Sequence, residues 1–311
     1  MPHPHVSVLL NEFLSFFEGQ SVRFFVDGTL GAGGHAEAIL KNHPEIELFI
    51  GIDQDDTALD LSRKRLEPWK DKILLVKGNF GDLEAHLNQA GVNKVDGMLF
   101  DLGVSSMQLD RPEKGFSFMH DGALDMRMDP ESDLTAEEIV NVWSEHEIAR
   151  IFRDYGEEKY WRPAARAVVQ ARAAKPIRTT MDLVNALRPL LAPKYKKKNI
   201  NPLTLVFQGL RICVNRELEM LENMLPQALK RLAVGGRLAV MTFHSLEDRI
   251  AKNIFRYEAS DKVDTSGICG LFLDKDPTLK ILTRKPVSAS DQEIEMNSRS
   301  RSAKLRVVEK L

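Results

Sequence analysis

The chain has 311 residues, of which 43% are hydrophobic and 28% charged, and its formal net charge is −2. This composition is typical of a globular protein with one large or two smaller domains, and it excludes a disordered or fibrous chain. The small net charge excludes a protein that coats nucleic acid through bulk positive charge. No apolar run approaches the roughly 20 residues of a membrane-spanning helix, and the first residues show no signal-peptide pattern.

The two cysteines, Cys213 and Cys269, have neither a pairing nor a zinc-ligand spacing. We therefore expect no metal site, and the simplest expected location is the reducing cytoplasm. The sequence leaves the oligomeric state open, and a homodimer is one possibility.

The first hundred residues alternate short apolar runs with amphipathic stretches of helical length. This alternation is typical of a parallel sheet covered by helices on both faces. The predicted strands cover residues 23–27, 48–53, 73–77 and 97–101, and the predicted helices cover 36–41, 58–66 and 83–90.

The alternation stops at a long loop. From Gly103 to Asp133 there is neither a helical nor a strand period, and ordered loops of that length are usually functional. Helical periodicity returns from Thr135 to Leu191 and predicts a helical insertion. We predict that residues 1–105 and 205–311 form the core, and that 106–204 form a loop and helical insertion for substrate recognition.

The last third of the chain returns to the sheet. Apolar positions recur every three or four residues from Thr204 to Leu232 and predict one long helix, which ends at Gly235-Gly236. Three further strands are predicted over residues 237–243, 279–283 and 304–309. The predicted fold class is therefore α/β, with a sheet of about seven strands and an inserted helical domain.

A glycine-rich turn follows the first predicted strand, in the sequence DGTLGAGGH over residues 27–35. Glycines let the backbone approach a ligand, and the following helix N-terminus favours an anionic group. Asp53 ends the second strand, where a carboxylate can accept hydrogen bonds from both ribose hydroxyls of an adenosine. Phe80 and Asp101 follow the third and fourth strands, at the same edge of the sheet. The alternatives are a tight turn with a surface carboxylate, and a core position for Phe80.

The long loop contains aromatic and charged residues suited to holding a base. Phe116 and Phe118 can sandwich a base, while Asp125 and Arg127 can pair with each other or hydrogen-bond to its edge. After the fifth strand, His244 is a candidate site residue, although a structural histidine is an equal alternative. Ser245 and Asp248 have the spacing of a capping box, which predicts that a helix begins there.

Basic residues cluster in two places. Between Arg188 and Arg216 there are seven Lys or Arg residues and no acidic residue, which indicates a local patch for phosphates. Near the C-terminus, Asn297 to Ser302 alternates arginine with small polar residues, which also suits phosphate contacts. In both places the alternative is a solvated surface loop.

Taken together, these motifs resemble one family, the bacterial ribosomal RNA small-subunit methyltransferase H family, also called MraW. The resemblance includes DGTLGAGGH (27–35), GID (51–53), DGMLFDLGVSSMQLD (96–110), GFSF (115–118) and LDMRMD (124–129). It continues through YGEE (155–158), FQGLRI (207–212), GGRLAVMTFHSLEDRI (235–250) and SRSRSAKLR (298–306). It covers nearly the whole chain, in order.

The resemblance implies a Rossmann-like core, S-adenosyl-L-methionine as cofactor, and methylation of cytosine N4 in the decoding region of 16S ribosomal RNA. The partner it implies is the small ribosomal subunit, with no membrane association. The implied cofactor-binding residues are Gly33, Gly34, His35, Asp53, Phe80, Asp101 and Gln108. The catalytic candidates are Asp101, Asp125 and His244. The RNA-binding candidates are Phe116, Phe118, Arg127, Lys196, Lys197, Lys198, Arg211, Arg299 and Arg301.

Two other functions remain open at this point. A nicotinamide-dependent oxidoreductase shares the glycine-rich turn and the acidic residue after the second strand, but it lacks the GFSF and LDMRMD loop and binds a dinucleotide. A non-enzymatic ribosome-assembly factor can retain a cofactor pocket, and only a binding measurement distinguishes it. Methylation at a pyrimidine ring carbon usually needs a thiolate, and neither cysteine follows a predicted strand, so an exocyclic amine is the better acceptor.

Overall fold

The computed structural model describes residues 7–109, 111–196, 201–264 and 272–311. The α-helices are α1 Leu10–Ser15, α2 Gly34–Asn42, α3 Asp56–Arg65, α4 Leu83–Gln89, α5 Ser106–Leu109, α6 Ala136–Val142, α7 Glu145–Arg150, α8 Trp161–Ala174, α9 Thr180–Tyr195, α10 Thr204–Asn215, α11 Glu217–Arg231, α12 Ser245–Ala259 and α13 Asp291–Met296. The strands are β1 Phe24–Asp27, β2 Leu48–Asp53, β3 Ile73–Lys77, β4 Val95–Asp101, β5 Leu232–Thr242, β6 Lys262–Asp264, β7 Phe272–Asp274, β8 Leu279–Ile281, β9 Val287–Ser288 and β10 Lys304–Lys310. Among the described residues, no helix is both long enough and apolar enough to cross a membrane.

The chain forms two compact units, and their boundary differs from the prediction. The first unit ends at Gly103 and resumes at Leu218, and the second is Val104–Glu217. Helix α10 therefore belongs to the helical unit and not to the sheet unit, because its apolar face packs into the helical core. The predicted single helix over 204–232 is also wrong. Arg216 has a left-handed φ of 51° and separates α10 from α11.

The first unit is built on one mixed sheet with the strand order β3-β2-β1-β4-β5-β10-β8, in which β9 also pairs with β10. Strands β1 to β5 are parallel to one another, and β10 is antiparallel to both β5 and β8. The chain passes outwards from β1 to β3, and then returns to β4 on the other side of β1. This reversal between β1 and β4 is the place where open α/β sheets bind ligands, outside the carboxyl ends of the strands. The predicted α/β class is confirmed.

Neighbouring residues of a strand point to opposite faces of the sheet, and in the inner strands both sets are buried against apolar side chains. One face and its helices form a core that includes Phe25, Phe49, Leu99, Ala239 and Val307. The residues that follow them in sequence line the other face, namely Val26, Ile50, Phe100, Val240 and Val308. The inner strands were visible in the sequence for this reason, as short and mainly apolar runs. Strand β5 begins earlier than predicted, so Gly235-Gly236 lies inside it.

The second unit is a group of helices around its own apolar core. The buried residues of α6 to α10 meet there, among them Ile139, Ile148, Val168, Leu187 and Leu210. Helix α7 continues into a wider turn over Ile151–Tyr155. Two residues of the long loop, Leu124 and Met126, are also fully buried in this core. The loop is therefore part of the packed unit, although it has almost no regular structure.

Candidate active site

Two glycines of the turn after β1 have a left-handed backbone conformation, which shapes the turn. Gly31 has a φ of 53° and donates its backbone N–H to Asp53 Oδ2 at 2.8 Å. Gly33 has a φ of 75° and is the N-cap of α2. A Cβ added at Gly31 would meet no atom closer than 3.9 Å. The turn is therefore open on that side, beside the N-terminus of a nine-residue helix whose free N–H groups favour an anionic ligand.

Asp53 joins the turn to the end of β2. Its second oxygen, Oδ1, accepts the N–H of Asp55 at 2.9 Å. Burial raises the pKa of Asp53, while the N–H groups of Asp55 and Gly31 oppose that rise. Each carboxylate oxygen can accept more than one hydrogen bond. The arrangement leaves acceptor capacity for the hydroxyl groups of a ribose.

Two carboxylates lie at the carboxyl ends of β1 and β4, at the reversal in strand order. Asp27 is 1% exposed and accepts the N–H of Thr29 at 3.1 Å. The hydroxyl of Thr29 accepts the backbone N–H of Asp101 at 2.6 Å, which ties the two strand ends together. Burial raises the pKa of each carboxyl group to about 7, and the charge of Glu247 adds to the rise at Asp101. Oδ1 of Asp101 is buried and has no hydrogen-bond partner among the described residues.

His35 lies beside Asp101 and is buried. Its Nε2 lies 2.9 Å from the carbonyl oxygen of Val8, and the ring packs edge-on against Phe13. Because that carbonyl can only accept, Nε2 carries the proton. Burial lowers the pKa of His35, so its Nδ1 has a free lone pair, 3.7 Å from Asp101 Oδ2. The His35 imidazole therefore donates no hydrogen bond to the Asp101 carboxyl group, although it lies close to it.

Two further predicted residues lie in the same unit. Phe80 is half-buried at the end of β3 and packs edge-on against Phe100, with ring centroids 6.1 Å apart. Asn79 precedes it, accepts the N–H of Gly81 and donates to Gln54 Oε1 at 3.1 Å. A Cβ at Gly34 would lie 2.2 Å from Ser7 Oγ, so Gly34 permits close packing of the N-terminal segment on the turn.

His244 proves to be a helix cap. Its Nδ1 accepts the N–H of Glu247 at 3.4 Å, and Glu247 Oε2 accepts the N–H groups of His244 and Phe243. The capping box is therefore His244 with Glu247, one residue earlier than the predicted pair Ser245 and Asp248. Asp248 instead accepts a hydrogen bond from Arg306 at 2.7 Å. This geometry assigns the Nδ1 lone pair of His244 to the backbone, which disfavours a role as general base.

Asp125 and Arg127 pair with each other, which was one of the two predicted possibilities. The guanidinium donates to both Asp125 oxygens at 2.8 and 2.9 Å, and to the carbonyl oxygens of Pro130 and Ser132. Partial burial alone would raise the pKa of Asp125, but the hydrogen bonds and charge of Arg127 hold it below its usual range. The pair therefore fixes the loop, and neither side chain is free to read a base edge.

Asn215 also fixes this loop, from the end of α10. Its side-chain oxygen accepts the N–H of Met128, and its amide group donates to the carbonyl oxygen of Met126, both at 2.8 Å. Met126 has a left-handed φ of 63°, which is uncommon for a residue with a side chain. The side-chain oxygen of Gln108 accepts the N–H of Ser105 at 3.1 Å, so it is engaged in its own turn.

Three side chains predicted to contact RNA instead contact other residues of the protein in the structure. Phe116 is only 6% exposed and belongs to the core of the second unit, while Phe118 packs edge-on against Phe207. Phe116 is therefore unavailable for the predicted base sandwich in this arrangement, whereas Phe118 is only partly buried. Arg211 forms a two-pronged ion pair with Glu217, at 2.8 and 2.9 Å, and its side chain is 18% exposed.

The remaining predicted RNA contacts lie on the surface or outside the described residues. Lys196, Arg299 and Arg301 are exposed. Lys197 and Lys198 fall outside the described residues, as does Cys269. Sequence reasoning missed Glu247, and it passed over Asp27 and Thr29, although both lie in the glycine-rich motif. Their position directly after an apolar strand was the available signal.

The fold and the site define a class of enzyme. A sheet that reverses between β1 and β4, a glycine-rich turn, a carboxylate at the end of β2 and a buried carboxylate at the end of β4 describe a Rossmann-like, S-adenosylmethionine-dependent methyltransferase. The family model described as "MraW methylase family" matches residues 2–311, and this chain belongs to that family. The resemblance in the sequence is thus confirmed, and the oxidoreductase alternative is removed.

Several curated relatives are similar over their whole length. Each is named ribosomal RNA small subunit methyltransferase H. The protein from Protochlamydia amoebophila is 59% identical over 310 residues, covering 99% of this chain and 98% of the relative. The protein from Carboxydothermus hydrogenoformans is 46% identical, covering 100% and 99%. The protein from Clostridioides difficile is 42% identical and covers 100% of both chains.

Proposed function

We propose that this methyltransferase transfers a methyl group from S-adenosylmethionine to the exocyclic N4 of a cytosine in the decoding region of 16S ribosomal RNA. The names of the curated relatives support ribosomal RNA of the small subunit as the substrate. The unsatisfied, buried Oδ1 of Asp101 at the carboxyl end of β4 is the observation that carries the choice of an amine. A buried carboxylate oxygen without a donor is costly, and an amine supplies one.

Different residues of the first unit would bind different parts of the cofactor. The turn at Gly31 and Gly33 would hold the methionine part near the N-terminus of α2, and Asp53 would accept hydrogen bonds from the ribose. When bound, S-adenosylmethionine supplies an electrophilic methyl group on a sulfonium. The open side of the turn and the free acceptor capacity of Asp53 fit this ligand.

Asp101 would act on the acceptor amine. The lone pair of cytosine N4 is delocalised into the ring, so an acceptor for one N–H increases the electron density on nitrogen. In the transfer, the N–C bond would form as the S–C bond breaks, and Asp101 or water would take the proton of the amine afterwards. Much of the rate would come from holding the two groups at attack distance, worth up to roughly 7–11 kcal/mol. Of the three catalytic candidates, Asp101 remains, because Asp125 pairs with Arg127 and His244 caps a helix.

The state of the described cysteine argues against methylation of a ring carbon. Burial raises the pKa of the Cys213 thiol to about 11, so the thiolate that carbon-5 methylation usually requires would be scarce at neutral pH. An amine needs no covalent nucleophile from the protein. As far as Cys213 is concerned, this difference favours N4 over C5 as the acceptor atom.

The direct test is methyl transfer from labelled S-adenosylmethionine to small subunits purified from a strain that lacks this gene, with modified nucleosides identified by mass spectrometry. The proposal expects N4-methylcytidine. Label in 5-methylcytidine or in another RNA would overturn the acceptor atom or the substrate. Tight cofactor binding with no label in RNA would favour the assembly-factor alternative.

A further inference from the structure

A group of aromatic and basic side chains near the start of α8 has no role in the site described above. The Cζ atom of Arg162 lies 4.5 Å from the centroid of the Trp161 ring, and that of Arg153 lies 5.4 Å from the same ring. Nζ of Lys194, from α9, lies 5.6 Å from the Tyr160 ring. We call Arg153, Tyr160, Trp161, Arg162 and Lys194 the aromatic–basic cluster.

The cluster is anchored on a buried carboxylate. Glu158 is 1% exposed, its Oε1 accepts the N–H of Tyr160 at 2.8 Å, and its Oε2 accepts the hydroxyl hydrogen of Tyr195 at 2.7 Å. The rings of Tyr160 and Tyr195 also meet edge to face. One carboxylate thus fixes both the start of α8 and the end of α9. Arg162 of α8 and Lys194 of α9 therefore lie next to helix ends that the same carboxylate holds in place.

The segment that carries the cluster is basic, in a chain whose net charge is negative. From residue 153 to residue 196 there are ten Lys or Arg residues and four acidic residues, of which Glu158 is buried. Arg153 is paired with Asp154 at 2.6 Å. Arg162 and Lys194 are exposed, and among the described residues neither has a carboxylate partner. A guanidinium stacked on an aromatic ring keeps its in-plane N–H groups available for a phosphate.

We propose that the aromatic–basic cluster is an RNA-binding surface of the helical unit, which contacts the sugar–phosphate backbone of the substrate RNA. This inference rests on the proposed function for the identity of the RNA. Aromatic rings interleaved with cations are the composition that binds single-stranded RNA, and phosphate contacts position a protein without reading sequence. Arg162 and Lys194 supply the charge, and Arg127 and Arg211, which the sequence favoured, are already paired with carboxylates.

The test is a double variant, Arg162→Gln with Lys194→Gln, which removes two charges and keeps the length of the side chains. The matched control, Arg256→Gln with Lys64→Gln, removes two exposed charges from the first unit that, among the described residues, also have no carboxylate partner. Binding to naked 16S ribosomal RNA and to small subunits, both from a strain lacking the gene, is measured over a range of salt concentrations. Thermal melting checks that all variants are folded.

For naked RNA we expect the test variant to bind about tenfold more weakly, and the slope of log K against log salt to be shallower by about 1.4, since each single-strand phosphate contact contributes about 0.7. KM should rise while kcat and the Kd for S-adenosylhomocysteine stay unchanged, and the control should match the wild type. Unchanged affinity and slope would overturn the inference. Weaker binding to subunits but not to naked RNA would also overturn it, because the partner would then be a protein. If the wild type binds RNA through this cluster but methylates none, the proposed function fails and this inference stands.

Discussion

Asp27 and Asp101 occupy positions where burial makes ionisation costly, at the ends of the two strands that flank the reversal in the sheet. Asparagine would fill the same space without that cost. Retaining carboxylates there has a physical reason only if the negative charge, or the proton, is used. The burial of these two carboxyl groups therefore has separate consequences for activity and for stability.

For activity, the pKa of Asp101, raised by burial to about 7, sets the pH dependence. Below this pH the carboxyl group is protonated and accepts more weakly, so single-turnover methyl transfer should rise as pH increases through about 7 and then level off. Asp101→Asn should lose roughly 100-fold or more in rate and lose this acid limb, while Asp60→Asn, an exposed change, should behave as wild type. A flat wild-type profile would remove Asp101 from the mechanism.

For stability, the variant Asp27→Asn tests whether burial of this carboxyl group lowers the Tm at high pH. Burial raises the pKa of Asp27 to about 7 in the folded chain, above the ordinary value of an aspartate, so its stabilising contribution is present below the unfolded pKa and is lost as pH rises through about 7. Asparagine cannot ionise. The Tm of the variant should therefore exceed that of wild type at about pH 8 by a few degrees, and the difference should shrink towards about pH 5. Equal Tm differences at both pH values would contradict the account.

Asp53 tests the cofactor assignment independently of RNA. Asp53→Asn keeps an acceptor for one backbone N–H but loses the charge that would hold the ribose hydroxyls. The Kd for S-adenosylhomocysteine, measured by calorimetry, should increase about 10- to 100-fold, in the range of a lost hydrogen bond to a charged group. Asp56→Asn, on the exposed first turn of α3, is the matched control. An unchanged Kd for Asp53→Asn would place the ribose elsewhere.

At the scale of elements, Asn215 connects the end of α10 to the backbone of the long loop. Asn215→Ala removes hydrogen bonds to the N–H of Met128 and the carbonyl of Met126, and the expected cost is about 1–3 kcal/mol of unfolding free energy. Denaturant unfolding measures it. Asn42→Ala is the control, since its amide donates to the carbonyl oxygen of Ala38 in its own helix. A loss equal to that of the control would show that the loop is fixed without Asn215.

Strands and the glycine-rich turn were predictable from the sequence because their signals are local. Mainly apolar stretches mark β1 to β4, and the glycines mark the turn after β1. The break at Arg216 was missed because the helical period of apolar residues continues from α10 into α11 across it. The cap at His244 was missed by one residue because histidine is not a usual capping residue.

The long loop was predictable as a functional region but not in its detail. Phe116 follows no helical or strand period, so nothing local to the sequence distinguishes a buried ring from one that stacks on a base. Its burial comes from packing against helices up to about a hundred residues further along the chain. The pairing of Arg211 with Glu217 likewise depends on the turn at Arg216, which the sequence pattern concealed.

At the scale of the whole molecule, the two units carry different sets of candidate functional residues. The sheet unit carries Asp53 and Asp101, and the helical unit carries the anchored loop and the aromatic–basic cluster. A net charge of −2 together with one strongly basic segment predicts association with RNA through a limited surface, so binding should weaken with salt but remain specific.

The role of Asp101 in methylating the decoding region can be measured in a strain that lacks this gene, complemented either with the wild-type chain or with Asp101→Asn. Fragments of 16S ribosomal RNA from both strains are sequenced by mass spectrometry. We predict one fragment from the decoding region with N4-methylcytidine when the wild type is present, and the unmodified fragment with Asp101→Asn. A methyl group on another atom, or full modification by Asp101→Asn, would contradict the account.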